Sequence, residues 1–311
     1  MLHILLPMVC LIAVGAAWRA LRPGGVDADI LRRALTTLVW YALLPALVLR
    51  VLWLAPLGRS TIAIAATAAI AVLLGMAGSW AFCRVCGQKS TTTGAMILAA
   101  GFPNATYLGL PVLEQSLGTW ARGVAIQFDL FACTPLLLTL GVALAHRLGR
   151  PGEQPQLLRG LVRVPPLWAA ALALVLNLAH VPLPAIVEGT LQLLARGVVP
   201  LMLIAVGLAL SLKRETWGRL PAVAPVLVLR LVLVPALALV ITWVFGLAGD
   251  LRMAVVLETA MPSMVLGVVI CERYGLDTGA YSAAVTLSTL ASLISLPLWF
   301  SLMNAPNTLG L

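Results

Sequence analysis

Three ionisable side chains lie deep inside apolar segments of this sequence: Asp129, Arg230 and Glu258. At 1.5 Å per helical residue, Arg230 lies about 14 Å, Asp129 about 10 Å and Glu258 about 9 Å into an apolar layer about 30 Å thick. A charged group at such a depth costs roughly 2.5 to 3.5 kcal/mol, so each one predicts a partner or a function. One interpretation is a buried ion pair between Arg230 and an acid. The other is an acid that carries a coupling proton or ligates Na⁺, while Arg230 tunes that acid or meets an anionic substrate.

Two proline motifs interrupt apolar segments at corresponding places: Pro103-Asn104 in MILAAGFPNATYLGLPVLEQ and Pro262-Ser263 in VVLETAMPSMVLGVVICERY. A proline inside a helix removes a backbone hydrogen bond, and the freed groups cannot be left facing lipid. In transporters built from inverted repeats, such broken helices supply substrate and ion sites, because half-helix N-termini attract anions and unwound carbonyls bind cations. Asn104, Thr106 and Ser263 follow the breaks and are placed to cap a half-helix or to donate to a substrate. The predicted site is Pro103, Asn104, Thr106, Tyr107, Pro262, Ser263 and Arg230 for the substrate, with Glu258 and Asp129 for the coupling ion and no catalytic residue or metal ligand.

The elements that position these residues follow from composition. The chain has 311 residues, of which 61% are hydrophobic and 10% charged, and its mean hydropathy is +1.05. Soluble domains carry about 25% charged residues, so an all-α integral membrane protein without a soluble domain is expected. Hydropathy predicts about ten spanning helices: 3–20, 32–54, 61–82, 93–114, 121–145, 166–182, 187–211, 221–246, 252–272 and 280–303.

The spans form two halves of five within a single transporter domain, 1–311. The polar stretch 146–164 separates residues 1–145 from 165–311. Loops after odd-numbered spans hold fourteen Lys and Arg residues and the other loops hold four, which predicts cytoplasmic odd loops and both termini outside. Five helices per half then make the second half an inverted repeat of the first. The mid-span prolines Pro45 and Pro200, in the second helix of each half, support this repeat.

The same residues argue against several other classes of protein. The excess of 20 Lys+Arg over 11 Asp+Glu fits cytoplasmic loops, so no nucleic-acid partner is expected. The first apolar run precedes the first basic residue, Arg19, which predicts a spanning helix and not a cleaved signal peptide. Cys83 and Cys86 form one CxxC without a second pair or nearby histidines, so no metal site is expected. An integral membrane enzyme usually has a His/Asp/Glu cluster, and the three histidines here are scattered.

Several segments of the sequence, including the two proline motifs, resemble those of a known protein family. NATYLGLPVLEQSLG (104–118), VPLMLIAVGLALSL (199–212) and LETAMPSMVLGVVICERYGLD (257–277) followed by SAAVTLSTLASLISLPLW (282–299) resemble the auxin efflux carrier family of membrane transporters. That family is similar in architecture to the bile-acid sodium symporters. The resemblance implies ten helices in two inverted repeats, a scaffold containing the second and seventh helices, and a transport domain in which the fourth and ninth helices break and cross at the substrate site.

The resemblance also implies a function. We expect a secondary transporter of small organic anions, such as malate, malonate or an auxin-like weak acid, working by alternating access in the bacterial inner membrane. Glu258 resembles a sodium-ligating glutamate of the bile-acid symporters, but Pro262-Ser263 stands where that pattern has Gln-Asn, so H⁺ and Na⁺ both remain open as coupling ions. A bile-acid-like sodium symporter or a cation/proton antiporter of the same fold is the alternative. The expected partners are the substrate anion and the lipid bilayer, a homodimer is left open, and no cofactor besides the coupling ion is expected.

Overall fold

The computed structural model describes residues 2–149, 162–211 and 213–304. A 3₁₀ turn, Pro23–Gly25, joins the first two helices, and a short helix, Arg214–Gly218, precedes the ninth. The helices are α1 (Leu2–Leu21), α2 (Ala28–Leu54), α3 (Arg59–Val85), α4 (Ser90–Gly101), α5 (Leu110–Leu117), α6 (Ala121–Leu148), α7 (Pro165–Leu178), α8 (Ala185–Ala209), α9 (Leu220–Val244), α10 (Gly249–Thr259), α11 (Gly267–Tyr274) and α12 (Thr278–Asn304).

The described residues form an all-helical structure with helices of membrane-spanning type. Six helices are long and apolar enough to cross a bilayer, namely α2, α3, α6, α8, α9 and α12, while α1 and α7 hold shorter apolar helices. The fourth and ninth predicted segments are each divided into two half-helices of 8 to 12 residues, because the backbone leaves the helix at each proline motif. Helix α6 runs to Leu148, past the predicted boundary at 145, and residues 150–161 of the predicted linker lie outside the described residues.

Widened π-helical turns precede four of the prolines. Proline lacks an N–H and its ring clashes with the carbonyl four residues earlier, and a single π turn relieves that clash inside a continuing helix. Each such turn ends two residues before its proline. The turns are Val39–Leu43 before Pro45, Ala105–Gly109 before Pro111, Asp129–Cys133 before Pro135 and Leu229–Leu233 before Pro235.

The helices pack into two groups. One group joins α1, α2, α7 and α8, and the other joins α3 to α6 with α9 to α12. Within the first group α1 and α8 approach very closely at Gly15 and Gly207, where a Cβ on either residue would overlap backbone atoms of the other helix. Small residues of this kind let membrane helices pack backbone to backbone. The two groups meet where α1, α2 and α8 contact α5, α6 and the turn Ala105–Gly109.

One end of the second group is held by Asp277, which lies between α11 and α12. Its carboxylate accepts a hydrogen bond from the backbone N–H of Ala280 at 2.9 Å and thereby caps α12. It also accepts from the Arg219 guanidinium at 3.1 Å and from the Thr92 hydroxyl at 3.1 Å. Partial burial acts to raise the pKa of Asp277, but the Ala280 N–H and the Arg219 charge outweigh it and hold that pKa below the ordinary value. Three segments are therefore tied together through one ionised carboxylate.

Replacing Asp277 by Ala is expected to lower the stability of the protein by about 1 kcal/mol, since a helix cap and a partly exposed ion pair are lost. A carboxylate with a lowered pKa stabilises the fold above its unfolded pKa of about 4, and this contribution is lost as the pH falls through the folded pKa. The gap between the thermal melts of wild type and Asp277→Ala should therefore be largest near pH 7 and narrow below about pH 4, where only the neutral cap of the protonated carboxyl group remains. Asp277→Asn keeps the cap acceptor without the charge and should melt in between; a gap independent of pH for Asp277→Ala would contradict the ionic part.

Candidate functional site

The two proline motifs meet and cross at the centre of the second helix group. The backbone N–H of Asn104 donates to the carbonyl of Pro262 at 2.8 Å, and the N–H of Met264 donates to the carbonyl of Phe102 at 3.1 Å. These two bonds form a short antiparallel bridge between Pro103 and Ser263. Backbone groups that cannot bond within a helix therefore bond across the crossing, as the absence of water from a bilayer requires. The crossing fixes the ends of four half-helices at one point.

A small cavity with a volume of about 50 Å³ opens beside this crossing. It lies between the two helix groups, since Trp40 comes from α2 and the other lining residues come from the second group. The lining is mainly apolar, with a few polar groups that converge on one side. The lining residues are Trp40, Pro103, Asn104, Ala105, Thr106, Tyr107, Asp129, Thr134, Leu137, Leu138, Met264 and Leu266.

Asn104 supplies a buried donor to this cavity. It is 4% exposed, and its Nδ2 has no hydrogen-bond partner among the described residues. Its backbone carbonyl accepts from the N–H groups of Leu108 and Gly109 and so begins the helical turn that leads into α5. The first N–H groups of a helix lack intrahelical partners and carry partial positive charge. The amide of Asn104 and this helix start together offer donors to an anion.

Asp129 lines the same cavity as Asn104. Its carboxyl group accepts hydrogen bonds from the Thr106 hydroxyl, in a very short contact, and from the Thr134 hydroxyl at 3.0 Å. Asp129 is 7% exposed and has no basic side chain within ion-pairing distance among the described residues. Asp129 is the first residue of the π turn Asp129–Cys133, and its bond to Thr106 joins it to the segment that follows the crossing. An acid is thus held next to the place where an anion would bind.

Glu258 is the second acid at the crossing, and in the described part of the chain neither of its carboxyl oxygens has a hydrogen-bond partner. It lies in the last turn of α10, is fully buried, and packs against Gly109, where a Cβ would overlap the carboxyl group. Gly109 is three residues after Thr106, the donor to Asp129, so the same helical turn contacts both acids. Burying an unpaired carboxylate is very costly, and a neutral, protonated carboxyl costs far less. The position therefore suits a group that binds and releases a proton.

Arg230 forms no ion pair with either acid in the described residues. Its side chain is fully buried and donates to backbone carbonyls at the crossing, among them Met261 at 2.9 Å. It does not line the cavity. The ion pair, one of the two interpretations of Arg230, is therefore not formed; carbonyl oxygens of the half-helix ends take the guanidinium instead.

The structure separates the predicted site residues into two sets. Those that line the cavity are Pro103, Asn104, Thr106, Tyr107 and Asp129. Four others are buried at the crossing and do not line the cavity: Pro262, Ser263, Arg230 and Glu258. Ser263 has a structural contact instead, since its hydroxyl donates to the carbonyl of Ala99 at 2.7 Å.

Sequence reasoning missed Trp40, Thr134 and Gly109. A signal existed for the first of them, because Trp40 stands five residues before Pro45, just as Thr106 stands five before Pro111. Residues at this offset fall in the π turns that the prolines induce. Nothing local in the sequence indicates that Gly109 receives a carboxyl group from a residue far along the chain.

Comparison with known proteins places this arrangement in a family. A family model described as membrane transport protein matches residues 153–300. An uncharacterized transporter of Methanothermobacter thermautotrophicus is 34% identical over 216 residues, which cover 68% of this chain and 69% of the relative. The uncharacterized transporter YfdV of Escherichia coli (strain K12) is 26% identical over 71% of this chain and 72% of its own length. The "Probable auxin efflux carrier component 5b" of Oryza sativa subsp. japonica is 31% identical over 150 residues, which cover 46% of this chain and 40% of that protein.

The match to the first of these relatives extends over more than two thirds of both chains, and the plant carriers match a shorter part. The resemblance read from the motifs is confirmed. The chain belongs to the auxin efflux carrier family of membrane transport proteins.

Proposed function

We propose that this protein is a secondary transporter that moves a small organic carboxylate together with a proton by alternating access. The observation that carries the proposal is the cavity beside the crossing, which is lined by both the buried acid Asp129 and Asn104, whose amide has no partner among the described residues. A donor without a partner predicts an anionic or polar ligand, because a buried polar group left unpaired costs about 1 to 3 kcal/mol.

The substrate is a carboxylate that carries an apolar body. Its carboxylate group accepts from Asn104 Nδ2 and from the free N–H groups at the start of the turn Ala105–Gly109. Its apolar part packs against Trp40 and Leu137, which line the same cavity. An auxin-like weak acid fits this description best, and malate or malonate would need the hydroxyls of Thr106 and Thr134 for the second carboxylate.

Proton coupling follows from the two acids. An ionised Asp129 would repel a substrate carboxylate in the same low-dielectric cavity, so the anion binds when Asp129 is protonated. Glu258 is the second proton site. Its carboxyl group packs against Gly109, which lies about one helical turn after Thr106, the donor to Asp129. Binding of the anion and binding of the proton then favour each other, as linkage requires.

Alternating access is assigned to relative movement of the two helix groups. The cavity lies between them, with Trp40 of α2 on one side and the crossing on the other. We propose that α1, α2, α7 and α8 are the scaffold and that the second group moves against it. In this arrangement α4 with α5 and α10 with α11 are the fourth and ninth of ten spans in two inverted repeats, with both termini outside a bacterial inner membrane.

Sodium is the second candidate coupling ion. The two unpartnered oxygens of Glu258 are ligands that Na⁺ also accepts. If sodium is the coupling ion, the stabilising effect of the substrate should require Na⁺ and should be insensitive to moderate acidification.

A thermal-stability screen of the purified protein against aliphatic, dicarboxylic and aromatic acids tests the proposal. Each acid is added at two pH values, with Na⁺ or with choline. A ligand at 100 times its dissociation constant stabilises by about 2.7 kcal/mol, and we expect a larger shift at lower pH and equal shifts in Na⁺ and choline. A screen in which no carboxylate shifts the melt would overturn the substrate class, and a Na⁺-dependent shift would move the coupling to sodium.

A further inference from the structure

The crossing also contains a cluster of polar groups that is separate from the cavity. This cluster consists of the carbonyl oxygens at the C-terminal ends of two half-helices, α4 and α10. The last four carbonyls of a helix have no intrahelical partners. In α4, the carbonyl of Leu98 accepts from the N–H of Phe102 and that of Ala99 from the Ser263 hydroxyl. The remaining two, of Ala100 and Gly101, accept from Nη1 of Arg230 at 3.3 and 3.5 Å.

The end of α10 is completed by the same side chain. The carbonyls of Val256 and Leu257 accept from the N–H of Ala260, and that of Glu258 accepts from the N–H of Met261. The last carbonyl, of Thr259, accepts from Nη2 of Arg230 in a very short contact. In the break that follows, the carbonyl of Met261 accepts from Nε at 2.9 Å.

Arg230 thus binds four carbonyls from two crossing helices, although it comes from a third, α9. The group is fully buried, so water does not replace these bonds. Both half-helix ends carry partial negative charge from their dipoles, which adds to the field of the carbonyls. Clusters of unwound carbonyls and half-helix C-termini are what inorganic cations bind in transporters with broken helices. Among the described residues, no carboxylate lies within ion-pairing distance of the Arg230 guanidinium.

We propose that this carbonyl cluster is a monovalent-cation site that the chain fills with its own guanidinium. Arg230 takes the place of a dissociable ion, so the site is permanently occupied and takes no Na⁺ from solution. The fixed charge also ties α4 and α10 to α9, so that the crossing moves as one body. Removal of the side chain would open a cavity lined by the carbonyls of Ala100, Gly101, Thr259 and Met261, into which a free cation could bind.

The test uses the purified full-length variant Arg230→Ala, melted in millimolar guanidinium chloride, NaCl, KCl or choline chloride. Without a rescuing cation we expect a melting temperature lower by on the order of 10 °C, since several buried carbonyls lose their donors. Guanidinium, Na⁺ or K⁺ should recover several degrees of that loss relative to choline. The wild-type protein should show no such recovery.

Arg252→Ala is the matched control. Arg252 also donates to a backbone carbonyl, that of Leu247 at 2.7 Å, but this hydrogen bond is only partly buried. The control variant should melt close to wild type and show no cation effect. If Arg230→Ala is not recovered folded, Arg230→Lys replaces it; an ammonium is still a monovalent cation but has three donors instead of five, so this variant should fold and melt below wild type. Equal stability of Arg230→Ala and wild type, an Arg230→Ala protein that no cation rescues, or an Arg230→Lys protein that is not recovered folded either, would overturn the proposal. Melting involves neither substrate nor proton gradient, so this result is independent of the proposed function.

Discussion

Replacing Glu258 by Gln is expected to abolish proton-driven accumulation of the substrate while leaving substrate exchange in place. Gln has nearly the shape of Glu but cannot take up or release a proton. Both oxygens of Glu258 lack donors in the part of the chain that the structure describes, and the side chain is fully buried, so a neutral amide of the same size fits without opening a cavity. In proteoliposomes, a gradient of one pH unit coupled to one proton corresponds to 1.36 kcal/mol and supports about tenfold accumulation. We expect this ratio to fall to about one in Glu258→Gln.

Asp250→Asn is the control for this experiment, because Asp250 lies in the first turn of the same half-helix, α10, but is exposed. It should accumulate substrate like wild type. Counterflow of labelled substrate without a gradient shows whether Glu258→Gln is folded and can still bind. A Glu258→Gln protein that retains tenfold accumulation would refute the proton role of this residue.

Replacing Asn104 by Ala should weaken substrate binding about 10- to 100-fold and leave the melting temperature of the ligand-free protein nearly unchanged. A hydrogen bond to a charged group is worth roughly 1.5 to 3 kcal/mol, which gives the expected loss of affinity. Stability is spared because Nδ2 has no partner within residues 2–149, 162–211 and 213–304, and the backbone bond from Asn104 to Pro262 does not need the side chain. Isothermal titration with the carboxylate found in the stability screen measures the change.

Asn177→Ala is the matched control with the opposite expectation. Nδ2 of Asn177 donates to the carbonyls of Leu52, Trp53 and Ala55 at 3.1, 2.7 and 2.9 Å and closes the end of α2. Its removal should lower the melting temperature and leave the affinity of the folded protein unchanged. Unchanged affinity in Asn104→Ala would exclude this amide from the substrate site.

The positions of the helices and of their interruptions could be predicted from the sequence because both depend on local chemistry. Apolar runs specify membrane helices, and a proline removes a bond within its own turn, so Pro103 and Pro262 predict the two breaks directly. Burial of Asp129, Glu258 and Arg230 follows from the same runs. The family could be predicted as well, because its motifs surround these breaks.

What each buried group contacts was decided by the tertiary structure. A charged residue in an apolar run must find a partner, but hydropathy does not say which one. Arg230 contacts carbonyls 29 to 130 residues away, a set of partners that neither interpretation of its charge had included. Gly109 contacts Glu258 only because two helices cross. Trp40 lines the cavity only because the first helix group packs against the second. The sequence by itself therefore determined where the chain spans, breaks and buries charge, whereas the pairing of those charges depends on distances between remote segments that only the packed helices fix.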